Sequence, residues 1–157
     1  MLVSDYLIPD GVASSLHLLR SWRWLFPKDT SVVLTNLFAD SVVEHGDGAI
    51  HYLDTGSGTS ERLASSKDEF HRLLLDPHNL RNWLMIPLVD QCRASGLRLA
   101  EGQCYAFRVL PVFQEGSYDL GNVFVSTIQG YADFTGQIHE QIADAPDGSR
   151  IKIVVPP

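Results

Sequence analysis

The spacing of apolar residues near the N-terminus predicts an arm followed by a helix. Three apolar residues recur at helical spacing after Asp10, a residue type suited to an N-cap: Val12, Leu16 and Leu19. This pattern predicts a helix over residues 12–25, preceded by an arm or short strand over residues 1–9. Pro27 ends the helix, because the residue before a proline avoids the helical conformation.

The next block of the chain is typical of consecutive strands joined in a meander. β-Branched and large apolar residues predict strands in five places: residues 32–34, 37–38, 41–45, 49–54 and about 62–63. Gly46-Asp47-Gly48 lies between two of them, and its glycines supply the positive φ angles that a tight hairpin needs. Residues 54–58 form a second predicted turn.

Helical spacing returns after residue 65. Ser66 and Glu69 are placed as a capping box, with a hydroxyl at the N-cap and a carboxylate three residues later. The helix that follows is predicted to end at Asp76-Pro77. A second helix is predicted over residues 84–95, with Pro87 in its first turn or at a kink and with Gly96 as its C-cap.

The remaining pattern predicts three more strands and one long helix. A strand over residues 102–109 places Tyr105 and Phe107 on one face and Cys104 and Ala106 on the other. The other elements follow in chain order: a strand at 123–125, a helix at 127–143 and a last strand at 151–155. Strands and helices come in blocks, without strict alternation, which favours an α+β fold. We therefore expect one domain over residues 1–157, with an antiparallel or mixed sheet packed against several helices.

Composition and charge narrow the classes of partner. The chain has 157 residues, of which 45% are apolar, and carries a net charge of −7. This acidity disfavours nucleic acid as a partner. It is compatible with plain solubility or with attraction of a basic protein partner. Apolar runs are too short to span a membrane. Cys92 and Cys104 are interpreted as buried, reduced thiols, which favours a cytoplasmic location.

His139-Glu140 begins a segment that resembles the zinc-binding sequence H-E-x-x-H. Ala143 stands at the place of the second histidine, and a methyl group cannot bind a metal ion. Apolar positions place His139 at the margin of the buried helix face and turn Glu140 toward water. The segment therefore predicts an amphipathic helix without a metal site.

His45 and His51 flank the predicted hairpin and offer an alternative reading of the chemistry. Together with Asp47 or Glu44 they would provide a ligand set for a transition metal. Their pairing across a solvent-facing hairpin also arises by chance. A small-ligand pocket between the sheet and the helix at 127–143 is a further hypothesis. Nucleophile and phosphate-binding motifs are absent from the sequence, so we predict no catalytic residue, no cofactor and no metal.

Several sequence segments together resemble a known family. They are WL at 24–25, NLFAD at 36–40, DGAIHYLD at 47–54, NWLMIPLV at 82–89, GQCYAF at 102–107 and GQIHEQI at 136–142. These segments resemble the C-terminal domain of the type VI secretion immunity proteins that protect their host from a secreted DNase toxin. The resemblance extends from residue 22 to the end of the chain and leaves residues 1–21 as an N-terminal arm and helix. A more distant similarity is to the SUKH immunity proteins.

The resemblance implies a non-enzymatic cytoplasmic protein that binds a cognate toxin and blocks it. Acidic residues around the hairpin are the expected partner-binding positions: Glu44, Asp47 and Asp54. One departure from the family pattern is Ala39, which stands where glycine is common before Asp40. The alternative function is a small-ligand or metal-binding protein or enzyme that uses the hairpin histidines.

Overall fold

The larger of two antiparallel sheets is a meander in which each strand is hydrogen-bonded to the next along the chain. The computed structural model describes residues 2–152. The meander strands are β1 (Ser31–Thr35), β2 (Ser41–Glu44), β3 (Ile50–Asp54) and β4 (Thr59–Ala64). The predicted meander and the α+β class are confirmed.

The hairpin between β2 and β3 forms at Gly46-Asp47-Gly48, as predicted. Gly48 has a φ of +89°, and the Asp47 carboxylate accepts a hydrogen bond from the backbone N–H of Ala49. By contrast, Leu37 and Phe38 lie in the β1–β2 loop and not in a strand. Asn36 explains the difference, because its side-chain oxygen accepts hydrogen bonds from the backbone N–H groups of Phe38 and Asp40 and so closes the loop.

Three helices follow the meander: α2 (Lys67–Leu73), α3 (Pro77–Trp83) and α4 (Ile86–Ala94). Ser66 accepts the backbone N–H of Glu69, which confirms the predicted N-cap. Helix α3 was not predicted. Asp76-Pro77 ends the preceding helical segment, but Asp76 also caps α3 by accepting the N–H of His78. The same two residues that stop one helix therefore start the next.

The smaller sheet contains β5 (Gln103–Phe107) and β6 (Val123–Thr127), which leads directly into the long helix α5 (Ile128–Ile142). The expected two faces of β5 are present, but both are buried. Phe38 packs against Tyr105 and Phe107 on one face. Cys104 and Ala106, on the other face, have no exposed surface.

The predicted helix over residues 12–25 is wrong. The structure has a short helix α1 (Asp10–Ala13), an irregular segment and a 3-10 turn over Arg20–Trp22. Contacts with α5 override the helical pattern here. The Gln129 side chain bonds both the N–H and the carbonyl of His17, and the buried Trp22 indole donates to the Ala132 carbonyl. Of the predicted last strand, residues 151 and 152 are not in a strand and residues 153–155 lie outside the described residues.

The meander is covered on both faces. Val42 and Ile50 on one face pack with Phe70 of α2, whereas Val43 and Leu53 on the other pack with Trp22. The largest apolar cluster joins the smaller sheet, α4, α5 and the N-terminal arm. The two sheets therefore share a core through the loops and helices between them, and the meander ends beside α3.

Gly136 marks the closest approach of α5 to the 3-10 turn. A Cβ atom at Gly136 would lie 2.4 Å from the backbone oxygen of Ser21. At Gly130, in the same helix, a Cβ atom would meet only the movable hydroxyl of Thr127. We expect Gly136→Ala to lower the free energy of unfolding by about 1–3 kcal/mol, because backbone must move. Gly130→Ala, the matched control, is expected to leave it unchanged or raise it by up to about 1 kcal/mol. Urea unfolding measures both, and equal effects would contradict the predicted packing.

Candidate functional site

The centre of the candidate site is a buried carboxylate, Asp40, which is only 3% exposed. One of its oxygens accepts hydrogen bonds from the backbone N–H and the hydroxyl of Thr55, at 2.9 and 2.8 Å. The other accepts from the Tyr52 hydroxyl at 2.8 Å and from the Asn36 amide at 3.2 Å. Ala39, directly before Asp40, has a φ of +62°, a conformation that glycine adopts more readily than alanine.

Burial, followed by the nearby charge of Asp54, raises the pKa of Asp40 to about 7. The hydrogen bonds from Thr55 and Tyr52 oppose this rise because they favour the ionised carboxylate. Burial, followed by the charge of Asp40, also raises the pKa of Tyr52 well above its usual value, so this hydroxyl stays protonated and donates. The carboxylate is thus well hydrogen-bonded, and among the residues that the structure describes it forms no ion pair.

A cavity of about 530 Å³ lies at this end of the meander, and we name it the meander cavity. Strands β3 and β4 contribute Tyr52, Asp54 and Glu61, and α3 contributes Trp83. Tyr118, from the connection between β5 and β6, also lines it. Asn36 fixes the α3 wall, because its amide donates to the backbone carbonyl of Trp83 at 3.0 Å.

Asp54, one of the predicted partner-binding residues, has a defined place in this cavity. Its Oδ1 atom accepts the backbone N–H groups of Gly56 and Ser57, which forms the turn after β3. Its Oδ2 atom accepts the Tyr118 hydroxyl at 2.8 Å. Asp54 therefore holds the turn and the cavity wall together.

Glu44 and Asp47 lie at the other end of the hairpin from Asp54. Glu44 pairs with Ile50, the first residue of β3, whereas Asp54 is its last. Asp47 is exposed at the hairpin tip, and Glu44 is 3.9 Å from Lys67. The structure thus separates the three acidic residues that the sequence placed together, because β3 runs its full length between them.

His45 and His51 do come together across the hairpin. Their rings are stacked with centroids 4.1 Å apart, and His45 also meets the ring of Phe26 edge-on. Burial, followed by the charges of His45 and Arg62, lowers the pKa of His51. Within residues 2–152, no group of three or more histidine, cysteine, aspartate or glutamate side chains is placed to hold a metal ion. The stacked pair therefore lacks the carboxylate ligand that the metal hypothesis needs.

His139 is a core residue and lies deeper than the margin that its helical position suggested. It is 3% exposed, and its ring packs against Trp22 with centroids 5.5 Å apart. Its Nε2–H group donates to the backbone carbonyl of Thr55 at 2.9 Å, so that nitrogen is not free to bind a metal. Burial lowers the pKa of His139, which keeps the ring neutral. Glu140 is exposed, as predicted.

An uneven charge distribution is a feature that the sequence reasoning missed. Between Arg108 and Arg150 the chain contains no lysine or arginine, yet it carries six acidic residues: Glu115, Asp119, Asp133, Glu140, Asp144 and Asp147. Asp133 is bound by Arg20, and the other five are exposed. The positions of the charged residues along the sequence already show this acidic segment, whereas the net charge of the whole chain does not.

A groove of about 720 Å³ lies beside this acidic segment, at the C-terminal end of α5. Its lining includes the partly exposed apolar residues Trp24, Phe113 and Ile142, together with Gly58 in the turn after β3. It lies near the place where a pocket between sheet and helix was expected.

None of the helices within residues 2–152 is long and apolar enough to cross a membrane.

The raised pKa of Asp40 predicts a specific pH dependence of stability. Between about pH 4 and pH 7 the folded protein keeps a proton that the unfolded chain has lost. Unfolding then releases a proton, so rising pH favours unfolding, with a slope of up to about 1.4 kcal/mol per pH unit. Asp40→Asn removes this contribution. It also costs about 1–3 kcal/mol, because its amide group meets the donor of Asn36.

Urea unfolding from pH 4.5 to 8 compares the unaltered chain, Asp40→Asn and the exposed control Asp144→Asn. The difference between the unaltered chain and Asp40→Asn is expected to shrink as pH rises, whereas the control profile stays parallel to that of the unaltered chain. A constant difference between the unaltered chain and Asp40→Asn would contradict a raised pKa for Asp40.

Comparison with known proteins gives one family match, over part of the chain. Residues 64–139, slightly less than half of the chain, match the family described as T6SS immunity protein Tdi1, C-terminal. No curated protein matches the chain. The matched segment begins at the last residue of β4 and ends within α5, so it contains α2, α3, α4 and the smaller sheet. The predicted resemblance from residue 22 to 63 is not covered by this match. The match confirms the resemblance found in the sequence: residues 64–139 are similar to the C-terminal domains of T6SS immunity proteins.

Proposed function

We propose that the chain gives immunity by binding a secreted toxin, such as a nuclease, and covering its active cleft. The observation that carries this proposal is the family match over residues 64–139, because the family is named for immunity in type VI secretion. In this proposal the chain supplies a binding surface and no chemical step.

The charge of the chain supports a nuclease as the partner. An enzyme that binds a phosphate backbone needs a basic cleft, since lysine and arginine provide most contacts to phosphates. The chain carries a net charge of −7, and residues 109–149 carry six acidic residues without any lysine or arginine. Opposite charges accelerate encounter and orient the two proteins.

Two regions are our candidates for the contact surface. One is the hairpin tip, where Asp47 is exposed and Glu44 is half-buried. The other is the acidic segment after Arg108, in which Glu115 and Asp144 are exposed beside the groove at the end of α5. Asp54 lies in neither region. It lines the meander cavity, where its carboxylate accepts a hydrogen bond from Tyr118.

The cysteines support a role without nucleophilic chemistry. Burial raises the pKa of Cys92 to about 11 and that of Cys104 to about 12. Both thiols are therefore protonated at neutral pH, and a protonated thiol is a poor nucleophile.

Co-production in a test bacterium measures the proposed immunity. Each toxin that the host exports through its type VI system is produced with and without the chain. We expect the chain to restore growth against one toxin and to form a stable complex with it in size-exclusion chromatography. Failure to protect against any of these toxins would refute the proposed function. Protection without a complex would refute the mechanism.

The role of the acidic residues is tested by two paired substitutions, Glu44→Gln with Asp47→Asn and Glu115→Gln with Asp144→Asn. We expect the pair at the contact surface to lower the association rate about 3–10-fold at low salt, with little change in the dissociation rate. The matched control is Asp10→Asn with Glu101→Gln, which removes the same charge at residues lying on or beside another pocket. Stopped-flow association at several salt concentrations makes the comparison. Equal effects from all three pairs would show that only net charge matters.

A further inference from the structure

We propose that the meander cavity is a binding site for an arginine side chain, and that the toxin supplies this arginine. The proposal rests on the proposed function, because the source of the arginine is the toxin. The cavity itself stands on its own geometry, so the two claims are tested separately.

The size of the cavity suits a side chain or a small organic cation. Its volume of about 530 Å³ lies within the range of small-molecule sites, which is roughly 300–1,000 Å³. Polar groups converge on it from three directions: carboxylates from β3 and β4, amides of Asn79 and Asn82 from α3, and the hydroxyl-bearing ring of Tyr118. A guanidinium group carries five N–H donors in a plane and needs several acceptors at once.

The charge around the cavity is negative and lacks a matching cation. Asp54 and Glu61 line the cavity, and Asp40 lies behind Tyr52. In the described part of the chain, the two ion pairs are Arg20–Asp133 and Lys67–Glu44, so neither involves these three carboxylates. The charge of Asp54 raises the pKa of Asp40, and a positive ligand beside them would relieve this repulsion.

Among residues 2–152, Arg62 is the one basic residue that lines the cavity, and it forms no ion pair with the carboxylates. Its guanidinium donates to the Ser65 hydroxyl at 3.3 Å. It also acts on His51, whose pKa it lowers. Arg62 is exposed and is directed to Ser65, so within residues 2–152 it forms no ion pair with Glu61, and Asp54 keeps a further acceptor position on Oδ2 beside Tyr118.

An aromatic wall adds a second attraction for a flat cation. Trp83 is half-buried, lines the cavity and stacks on Phe70 with ring centroids 5.5 Å apart. Tryptophan is the aromatic side chain that attracts cations most strongly, and arginine is the cation most often found above it. This wall favours a guanidinium over a hydrated ammonium group.

The wall is also held rigid before any ligand binds. The Trp83 carbonyl accepts the Asn36 amide, which belongs to the buried Asp40 cluster. Met85, two residues on, has a φ of +52°, and such a conformation persists in a non-glycine residue only when its surroundings enforce it. A pre-organised site loses less entropy on binding.

Nuclear magnetic resonance of the tryptophan indole N–H groups tests the cavity directly. The probe is N-acetyl-L-arginine amide, and the neutral control is N-acetyl-L-citrulline amide, which has nearly the same shape. We expect a saturable shift of the Trp83 signal with the arginine probe alone, with a dissociation constant in the millimolar range. The Trp22 and Trp24 indoles, which donate to backbone carbonyls and do not line the meander cavity, are internal controls and stay unshifted.

Substitutions locate the charge that holds the probe. Glu61→Gln and Asp54→Asn are each expected to weaken probe binding about tenfold, whereas Glu101→Gln, away from the cavity, leaves it unchanged. Asp54 also forms a turn, so Glu61→Gln is the decisive variant if Asp54→Asn unfolds. No saturable Trp83 shift, or an equal shift with citrulline, overturns the arginine site even if the chain binds its toxin.

The source of the arginine is tested with the toxin itself. Glu61→Gln is expected to weaken toxin binding about tenfold or more relative to Glu101→Gln, and the toxin is expected to shift the Trp83 signal. If the probe binds but Glu61→Gln leaves toxin affinity unchanged, the cavity binds a free cation and the toxin is not the source. If the unaltered chain binds no toxin, the proposed function fails while the probe result still decides the cavity.

Discussion

The fold depends on the burial of the Asp40 carboxylate, whose lost hydration is replaced by hydrogen-bond donors. An ionised group in the interior is costly unless donors replace its hydration, and Asp40 receives four donors from three residues. Those residues come from separate segments, namely the β1–β2 loop, strand β3 and the turn after it. Asn36 extends the network to the end of α3 through the Trp83 carbonyl. One buried charge therefore positions the meander against the helices that follow it.

The hydrogen bonds to Asp40 offset only part of the free-energy cost of burying its carboxylate, and this remaining cost is relevant to function. The donors favour the ionised carboxylate, but burial and the charge of Asp54 outweigh them and move the pKa of Asp40 to about 7. An apolar replacement of similar size would avoid this cost, which is why buried charges are weak evidence for stability alone. Perturbed carboxylates are enriched at functional sites. Asp40 directly supports the Tyr52 wall of a cavity that carries two further carboxylates, so its cost is consistent with a site kept ready for a cation.

Local signals allowed much of the architecture to be predicted from the sequence. The glycines around Asp47, the hydroxyl of Ser66 and the position of Pro87 act within a few residues, and the elements they predict are present. The failures share a different physical cause. The helical pattern over residues 12–25 was overridden by α5, and helix α3 was missed because Asp76 both ends and begins a helix.

The candidate site was harder to predict because its members meet only after folding. Asp54 seemed to belong with Glu44 and Asp47, but strand β3 carries it to the opposite end of the hairpin. The helical pattern placed His139 at the margin of the buried helix face, but the turn at Thr55 covers its ring. The cavity walls are formed by residues far apart in sequence, such as Asp54 and Tyr118. A local sequence pattern cannot predict a contact of this kind.

The limits of the family match then suggest how the two parts of the chain divide their work. Residues 64–139 supply Trp83 and Tyr118, whereas the meander before residue 64 supplies Tyr52, Asp54 and Glu61. The matched segment thus contributes Trp83 and Tyr118, whereas the meander contributes both carboxylates together with Tyr52. An aromatic wall accepts many cations, whereas the placement of carboxylates decides which cation is held and in what orientation. In the proposed arginine site, strands β3 and β4 therefore set which cation is held, and residues 64–139 supply the tryptophan wall beside them.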